Sequence, residues 1–238
     1  KMSQRKATHF IIEDNAGGIA ANRFVNAFEP ANAPEDNTGL NEFGMGLKTA
    51  ACWLGNKWTV HTKALGEGIS RIVRFDQNVV TKNNLEEVNV KSETAQQDEH
   101  FTKIEITAPT KNVPTEKSLQ KIKTELASIY RNSLRNQEMD FYVNNEPLEF
   151  TEYAILNAPY YKDIEGPSKL WKKDIDFQFG PYKAKGFIGI LKELKSTQNG
   201  LVLSRRGRVI IGAEEDGRYF PKSIFGSSSG TFRYKRIF

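Results

Sequence analysis

The chain reads as a two-domain mixed α/β protein, and three observations predict it. Short β-rich runs alternate with two helical patterns over 238 residues, enough chain for two modest cores. Pro109 and Pro114 break the chain between an N-terminal half, 1–112, and a C-terminal half, 113–238, each with strands of its own. The composition, 38% hydrophobic and 26% charged, is that of an ordinary folded chain and excludes collagen-like, coiled-coil and wholly disordered proteins.

Other classes fall away on simple counts. No run approaches the roughly 20 apolar residues that span a bilayer, so no membrane partner is expected. The single cysteine, Cys52, forms no internal disulfide, and one cysteine with three histidines argues against a structural zinc site. A reducing compartment follows, cytoplasmic, or nuclear in a eukaryote. Lys and Arg (34) exceed Asp and Glu (29) by five, a mild excess compatible with an anionic ligand or a nucleic acid. No secretory signal opens the chain, and both ends read as cut from something longer.

Residues 8–12 (Thr-His-Phe-Ile-Ile) form a short buried strand by their β-branched and aromatic content. It leads into Glu13-Asp14-Asn15-Ala16-Gly17-Gly18-Ile19, a turn whose glycines lift the steric limits on the backbone. Residues 26–43 read as a long polar connection with Pro30, Pro34 and Gly39, of the kind that serves as a functional lid. Gly44-Met45-Gly46-Leu47-Lys48 then opens a helix of small and apolar residues reaching Leu54. Strands follow at 57–63, where Trp58, Val60 and Thr62 alternate, at 69–75 and at 102–107, with 78–99 an irregular or edge hairpin. Thr115 caps the clearest helix, 115–134, whose Leu119, Ile122, Leu126, Ile129 and Tyr130 recur at helical spacing. Asn144-Asn145 turns a hairpin between 140–143 and 147–150, and 183–191 and 201–211 are two further strands. A Gly-Ser loop at 224–231 follows.

Two of these features point to chemistry together. A helix N-terminus presents unsatisfied N–H groups and partial positive charge, so Gly44-Met45-Gly46 can bring a phosphate close to main-chain amides, with the full charge of Lys48 two residues on. The carboxylate of Asp14, at a strand end, can accept from an exocyclic amine such as adenine carries, a bond worth roughly 1.5–3 kcal/mol when dry. Neither the P-loop pattern nor the dinucleotide fingerprint is present. Read singly, Asp14 is an ordinary turn residue and Lys48 a solvated helix residue.

In order, Asp14-Asn15-Ala16-Gly17-Gly18-Ile19, a long connection, then Gly39-Leu40-Asn41-Glu42-Phe43-Gly44-Met45-Gly46-Leu47-Lys48 resembles the GHKL ATPase superfamily. That group holds gyrase-type topoisomerases, large heat-shock chaperones, sensor histidine kinases, MutL and MORC proteins. Phe-Gly-x-Gly-Leu-Lys is most similar to the MORC-like and MutL-like branches. Thr102 stands where these proteins carry a pocket threonine, and Gly200 to Ile210 is similar to a strand of their ribosomal S5-like transducer domain.

The resemblance implies a Bergerat-type sandwich, a mixed sheet with helices on one face, over 1–112, and the transducer over 113–238. It implies ATP with Mg²⁺, with Asp14 on the adenine amine, Gly18 and Ile19 shaping the base pocket, and Thr102 lining it. Gly39 and Asn41, Glu42, Phe43, Gly44, Met45, Gly46, Leu47 would wrap the phosphates, with Lys48 nearby and Lys192 or Lys195 reaching the γ-phosphate. Nucleotide-dependent homodimerisation and clamping of DNA or a partner go with it. Two departures stand out. Ala16 replaces a family glycine and requires negative φ. No Glu-x-x-x-Asn helix, the family's catalytic and Mg²⁺-holding element, occurs in the 13 residues before Asp14. Two other readings remain open: a nucleotide-sensing scaffold without turnover, and a nucleic-acid-binding protein whose basic C-terminal part (Arg205, Arg206, Arg208, Arg218, Lys222, Arg233, Lys235, Arg236) contacts phosphates.

Overall fold

The computed structural model describes residues 8–29, 39, 44–85, 87–193, 198–213, 218–225 and 237. The chain divides into two compact units, Lys1–Leu119 and Gln120–Phe238, so the division falls inside a helix and not in the proline break ahead of it.

The first unit runs β1 (Phe10–Asp14), α1 (Ala21–Phe28), α2 (Gly46–Leu54), β2 (Gly55–Lys63), β3 (Ile69–Asp76), α3 (Gln77–Asn83), β4 (Val90–Thr94) and β5 (Phe101–Pro109). Its strands form one sheet in the order β1-β5-β2-β3-β4. Every described pairing is antiparallel, where a mixed sheet was expected. The reason is topological: β1 and β2 run the same way, and β5 inserts between them, so no neighbours need a parallel crossover.

Alternation along the strands sorts one face into cross-strand rows. Phe10, Ile106, Trp58 and Phe75 form one row, and Ile12, Ile104, Val60 and Val73 the next. Leu47, Ala51 and Leu54, spaced by one helical turn, lay α2 over these rows. Trp58 and Val60 are fully enclosed, each burial worth roughly 2–3 kcal/mol, and Trp58 stacks on Phe75 at 4.8 Å. The opposite face carries the ion pairs Lys57–Asp76 (2.8 Å) and Lys91–Glu93 (2.7 Å), and a contact of His9 Nε2 with the Glu105 carboxylate (3.1 Å). Trp53, on the outer side of α2, is 63% exposed.

Two helices here were not legible. α1 occupies the start of the predicted connection, burying Phe24, whose ring meets Phe28 one turn on at 5.0 Å. Its N-cap is Ala20, which gives no capping signal, and a distant side chain serves its first amide instead. α3 replaces the first part of the expected hairpin, capped by Asp76 Oδ1 on the amides of Asn78 (3.1 Å) and Val79 (3.4 Å).

The helix predicted over 115–134 is present as α4 (Glu116–Ile129) and α5 (Arg131–Arg135). Thr115 and Ser118 cap its start reciprocally: Ser118 N–H donates to Thr115 Oγ1 (3.3 Å) and Thr115 N–H to Ser118 Oγ (2.9 Å). The helix breaks at Tyr130 (φ −98°, ψ 15°), where Arg131 turns back to donate from Nε to Ser128 O at 2.8 Å.

In the second unit, beyond these helices, come β6 (Tyr142–Val143), β7 (Glu146–Pro147), β8 (Asn157–Ala158), β9 (Lys169–Leu170), β10 (Lys172–Phe179), β11 (Tyr182–Gly189), β12 (Leu203–Arg205), β13 (Arg208–Ile211) and α6 (Lys222–Phe225). The described strands pair as two-stranded antiparallel ribbons, β6-β7, β8-β9, β10-β11 and β12-β13. Asn144 and Asn145 both adopt positive φ (53° and 63°), the mirror-image turn that suits a tight hairpin. The predicted strand 201–211 is instead a hairpin, reversed at Arg206 (φ 53°) and Gly207 (φ 79°). Of the expected 224–231 loop, 224 and 225 belong to α6 and the rest lies outside the described residues.

Candidate functional site

The third cross-strand row on the covered face of the first sheet is polar. It reads Asp14, Thr102, Thr62 and Arg71 across β1, β5, β2 and β3, beside two rows that are wholly apolar. Asp14 and Thr102, singled out separately in the sequence, are thus direct cross-strand partners with side chains on one face. β1 extends two residues further than predicted, which puts Asp14 inside the ladder as its last residue.

The turn that follows is docked onto the end of β2. Asp14 Oδ1 accepts from Ala16 N–H at 3.0 Å, an Asx-type turn, while the carboxylate stays exposed. Ala16 does not adopt positive φ, so the departure from glycine is accommodated. Gly17 O accepts from Leu65 N–H at 3.1 Å, and Ala16 O contacts His100 Nδ1 at 3.1 Å. Gly18 sits at φ +70°, and a Cβ there would lie 2.0 Å from the backbone oxygen of Lys63. Only glycine satisfies both conditions. Ile19 N–H then donates to Thr62 Oγ1 at 2.9 Å.

Three residues of this end carried no signal as site residues. Thr62 is fully buried and lies 3.1 Å from both Thr102 Oγ1 and Phe101 O. Its place in the row was readable from the Trp58-Val60-Thr62 alternation, but its contacts were not. Lys63, also fully buried, donates from Nζ to Ala64 O (2.7 Å) and Glu99 O (3.1 Å), bracing the strand end against which Gly18 packs. Glu67 accepts from Ala21 N–H through Oε1 (2.8 Å) and pairs with Arg71 through Oε2 (2.5 Å). The Ala21 amide first, then the Arg71 guanidinium, hold its carboxyl below the usual range.

The second glycine segment begins α2. Because α2 enters β2 directly at Gly55 and packs Leu47 and Ala51 on Trp58, Val60 and Ile106, it folds back over the strand, on the face that carries Asp14 and Thr102. Its N-cap, Met45, supplies no side-chain cap, and Met45 is half exposed. Gly44 has φ +62°, and a Cβ at Gly46 or Gly39 would meet nothing within 4 Å. Lys48 Nζ donates to Ala27 O (2.9 Å) and Glu29 O (2.8 Å), so its charge satisfies the final carbonyls of α1. Burial lowers its pKa, and nearby Glu29 offsets part of that.

Asn41, Glu42, Phe43 and Lys195 lie outside the described residues. Lys192 is exposed on the second unit, and its N–H donates to Ala154 O at 2.8 Å. In the basic C-terminal part, Arg218 is buried, donating from Nη2 to Tyr153 Oη at 2.6 Å with its guanidinium 5.2 Å over that ring, so it leaves the surface patch expected of it. Arg233, Lys235 and Arg236 lie outside the described residues.

Fold and site define a helix-covered antiparallel sheet whose one polar end is lined by glycine turns. Comparison with known families is more particular: residues 1–110 match the family described as Histidine kinase-, DNA gyrase B-, and HSP90-like ATPase, and the match implies that this segment binds ATP. The matched segment ends just beyond β5 and takes in both glycine segments. No curated protein matches the chain.

Proposed function

We propose that the first unit binds ATP at the polar row, with the base at Asp14 and Thr102 and the phosphates at the N-terminus of α2. The observation that carries this is the pairing of Asp14 with Thr102 beside a glycine turn that admits no side chain at Gly18. Asp14 accepts from the exocyclic amine of adenine. Gly18 and Ile19 line the base, and the unblocked amides of Met45 to Leu47 meet the phosphates. The fit is good at the base end, where an exposed carboxylate and a hydroxyl stand side by side on one face. Mg²⁺ would arrive with the triphosphate. Among the described residues no group of three His, Cys, Asp or Glu is placed to hold a metal, and no step is assigned to it.

The finer reading extends the proposal. Residues 113–238 act as a transducer of the MORC-like and MutL-like kind, with Lys192 or Lys195 sensing the γ-phosphate. Nucleotide closes the connection between α1 and α2, two chains pair, and the pair clamps DNA or another partner until hydrolysis releases it. Support for this part is the motif order and the family match of residues 1–110.

Calorimetry with ATP, with and without Mg²⁺, tests the core of it. Asp14→Asn keeps the Oδ1 acceptor for Ala16 and the fold but removes the charge, and ATP affinity should fall about tenfold or more while ultraviolet circular dichroism is unchanged. Unchanged affinity in this variant would remove Asp14 from the site and with it the proposed orientation of the base.

A further inference from the structure

The hairpin β10–β11 sorts its side chains by face, because cross-strand partners in an antiparallel pair lie on the same side. One face holds both carboxylates, and each is met by a lysine: Asp174 by Lys172 at 3.5 Å and Asp176 by Lys185 at 3.1 Å. Lys172 also lies 4.4 Å over Phe187, the one ring on that side. The other face has no carboxylate. It runs from Lys173 and the half-buried Ile175 and Ile188 to Phe177, Phe179 and Tyr182 near the turn, which are 55%, 78% and 73% exposed. Three rings thus stand together in water at the tip. Phe177 and Phe179, two residues apart on one strand, are spaced by about 7 Å, and Tyr182 is the direct partner of Phe179. Gly180 (φ +58°) and Pro181 close a two-residue turn that fixes these last two rings opposite each other.

We propose that this face binds single-stranded nucleic acid, with unpaired bases stacking on Phe177, Phe179 and Tyr182 and phosphates drawn to Lys173 and to Lys183 beside the turn. The surface belongs to the second unit and acts without ATP. Every base has a π face, so a row of rings holds a strand of any sequence, while the repeating phosphates call for cations and no carboxylates along the same path. The ribbon meets both requirements. Its four lysines exceed its two aspartates, and the aspartates are confined to the other face. Among the described residues, neither Lys173 nor Lys183 forms an ion pair, so both charges are left for a ligand. A duplex keeps the faces of its bases inside the stack and offers these rings little. The closed turn presents the rings without ordering a loop, which lowers the cost of binding.

Fluorescence anisotropy on the full chain, without ATP, tests this with labelled oligodeoxythymidine and oligouridine against a duplex of the same length. Single strands should bind at least about tenfold more tightly than the duplex. Binding of either oligonucleotide supports the proposal, since the rings meet bases and not the sugar. Phe179→Ala with Tyr182→Ala should weaken the single strands about tenfold or more and leave circular dichroism unchanged, because both side chains are exposed. Leucine at both positions keeps apolar bulk but has no flat face, and should weaken them as well; Tyr182→Phe should retain the affinity. Lys173→Gln and Lys183→Gln should each lower the slope of log affinity against log salt by about 0.7. Should the alanine pair loosen the ribbon, the leucine pair carries the same reading. Single strands left unbound, or bound no better than the duplex, overturn the proposal, as do ring variants with undiminished affinity. Sedimentation supplies the last check: self-association of the chain that is lost with alanine and kept with leucine would make this face an interface between two copies and overturn the nucleic-acid assignment.

Discussion

The two glycine segments of the first unit look alike in sequence and differ in what requires their glycines. At Gly18 the requirement is internal: φ is +70°, and a methyl would be driven to 2.0 Å from Lys63 O. At Gly46 no atom of the described residues within 4 Å resists a side chain, and the backbone is helical. The first turn is also tethered by side chains, Thr62 at Ile19 and Glu67 at Ala21, whereas the N-cap of α2 has none. One segment is thus a fixed part of the scaffold. At the other, nothing among the described residues opposes a side chain, so a requirement for glycine there would have to come from the proposed phosphate contact. A glycine motif alone cannot distinguish these cases; the environment of the missing Cβ can.

The sharpest way to break this contrast is to add a methyl at each place. Gly18→Ala must relieve both a left-handed φ and a backbone clash, and should cost on the order of 2–4 kcal/mol, since Lys63 O belongs to a strand that cannot move aside cheaply. Denaturant titration followed by amide exchange in β1, β2 and β5 should show the loss across the first unit. Gly46→Ala should do the opposite. Stability should hold or rise by about 0.5–1 kcal/mol, because alanine is the better helix former, while ATP affinity falls about tenfold as the methyl crowds the amides of the first turn. Retained affinity there would mean that the glycine serves chain entry into α2 and nothing beyond.

Much of this arrangement was legible in the sequence, and what was hidden has definite physical causes. Local signals worked where one residue determines the backbone: Asn144-Asn145 turns its hairpin and Thr115 caps α4. The apolar alternation of β2 located the core rows around Trp58 and Val60. α1 escaped because its first amide is served by Glu67, 46 residues away, and not by a neighbouring cap. The hairpin at 203–211 was read as one strand because Arg206, a residue that seldom takes positive φ, makes its turn with Gly207. At the site, Asp14 and Thr102 were visible as separate motif residues, but their register across β1 and β5 was not. Nor could the contacts of Thr62 or the attachment of Lys48 to the end of α1 be read, since both are long-range.

The smallest effect tests the tether that separates the two segments. Glu67 bridges the start of α1 and Arg71, and both partners favour its charged form, so its carboxyl titrates below the usual range. The unfolded chain therefore takes up a proton at higher pH than the folded one does. The stabilisation is complete above the ordinary carboxylate range and is lost as the pH falls through the lowered folded value. Glu67→Gln keeps an oxygen for Ala21 N–H but removes the charge facing Arg71. It should reduce stability slightly at pH 7 and flatten the decline in stability on the acid side, read by urea midpoints from pH 7 down to about pH 3. Arg71 then loses the Glu67 carboxylate yet retains the Phe24 ring, 5.6 Å from its guanidinium carbon, which keeps the loss small. Binding of ATP should change little, because Glu67 holds the chain two residues beyond Ile19 and the Thr62 bond still fixes the turn. A drop in affinity as large as that from Gly46→Ala would show that the tethered segment is held open or closed by Glu67, and that the division between scaffold and open end is not as clean as the two glycines suggest.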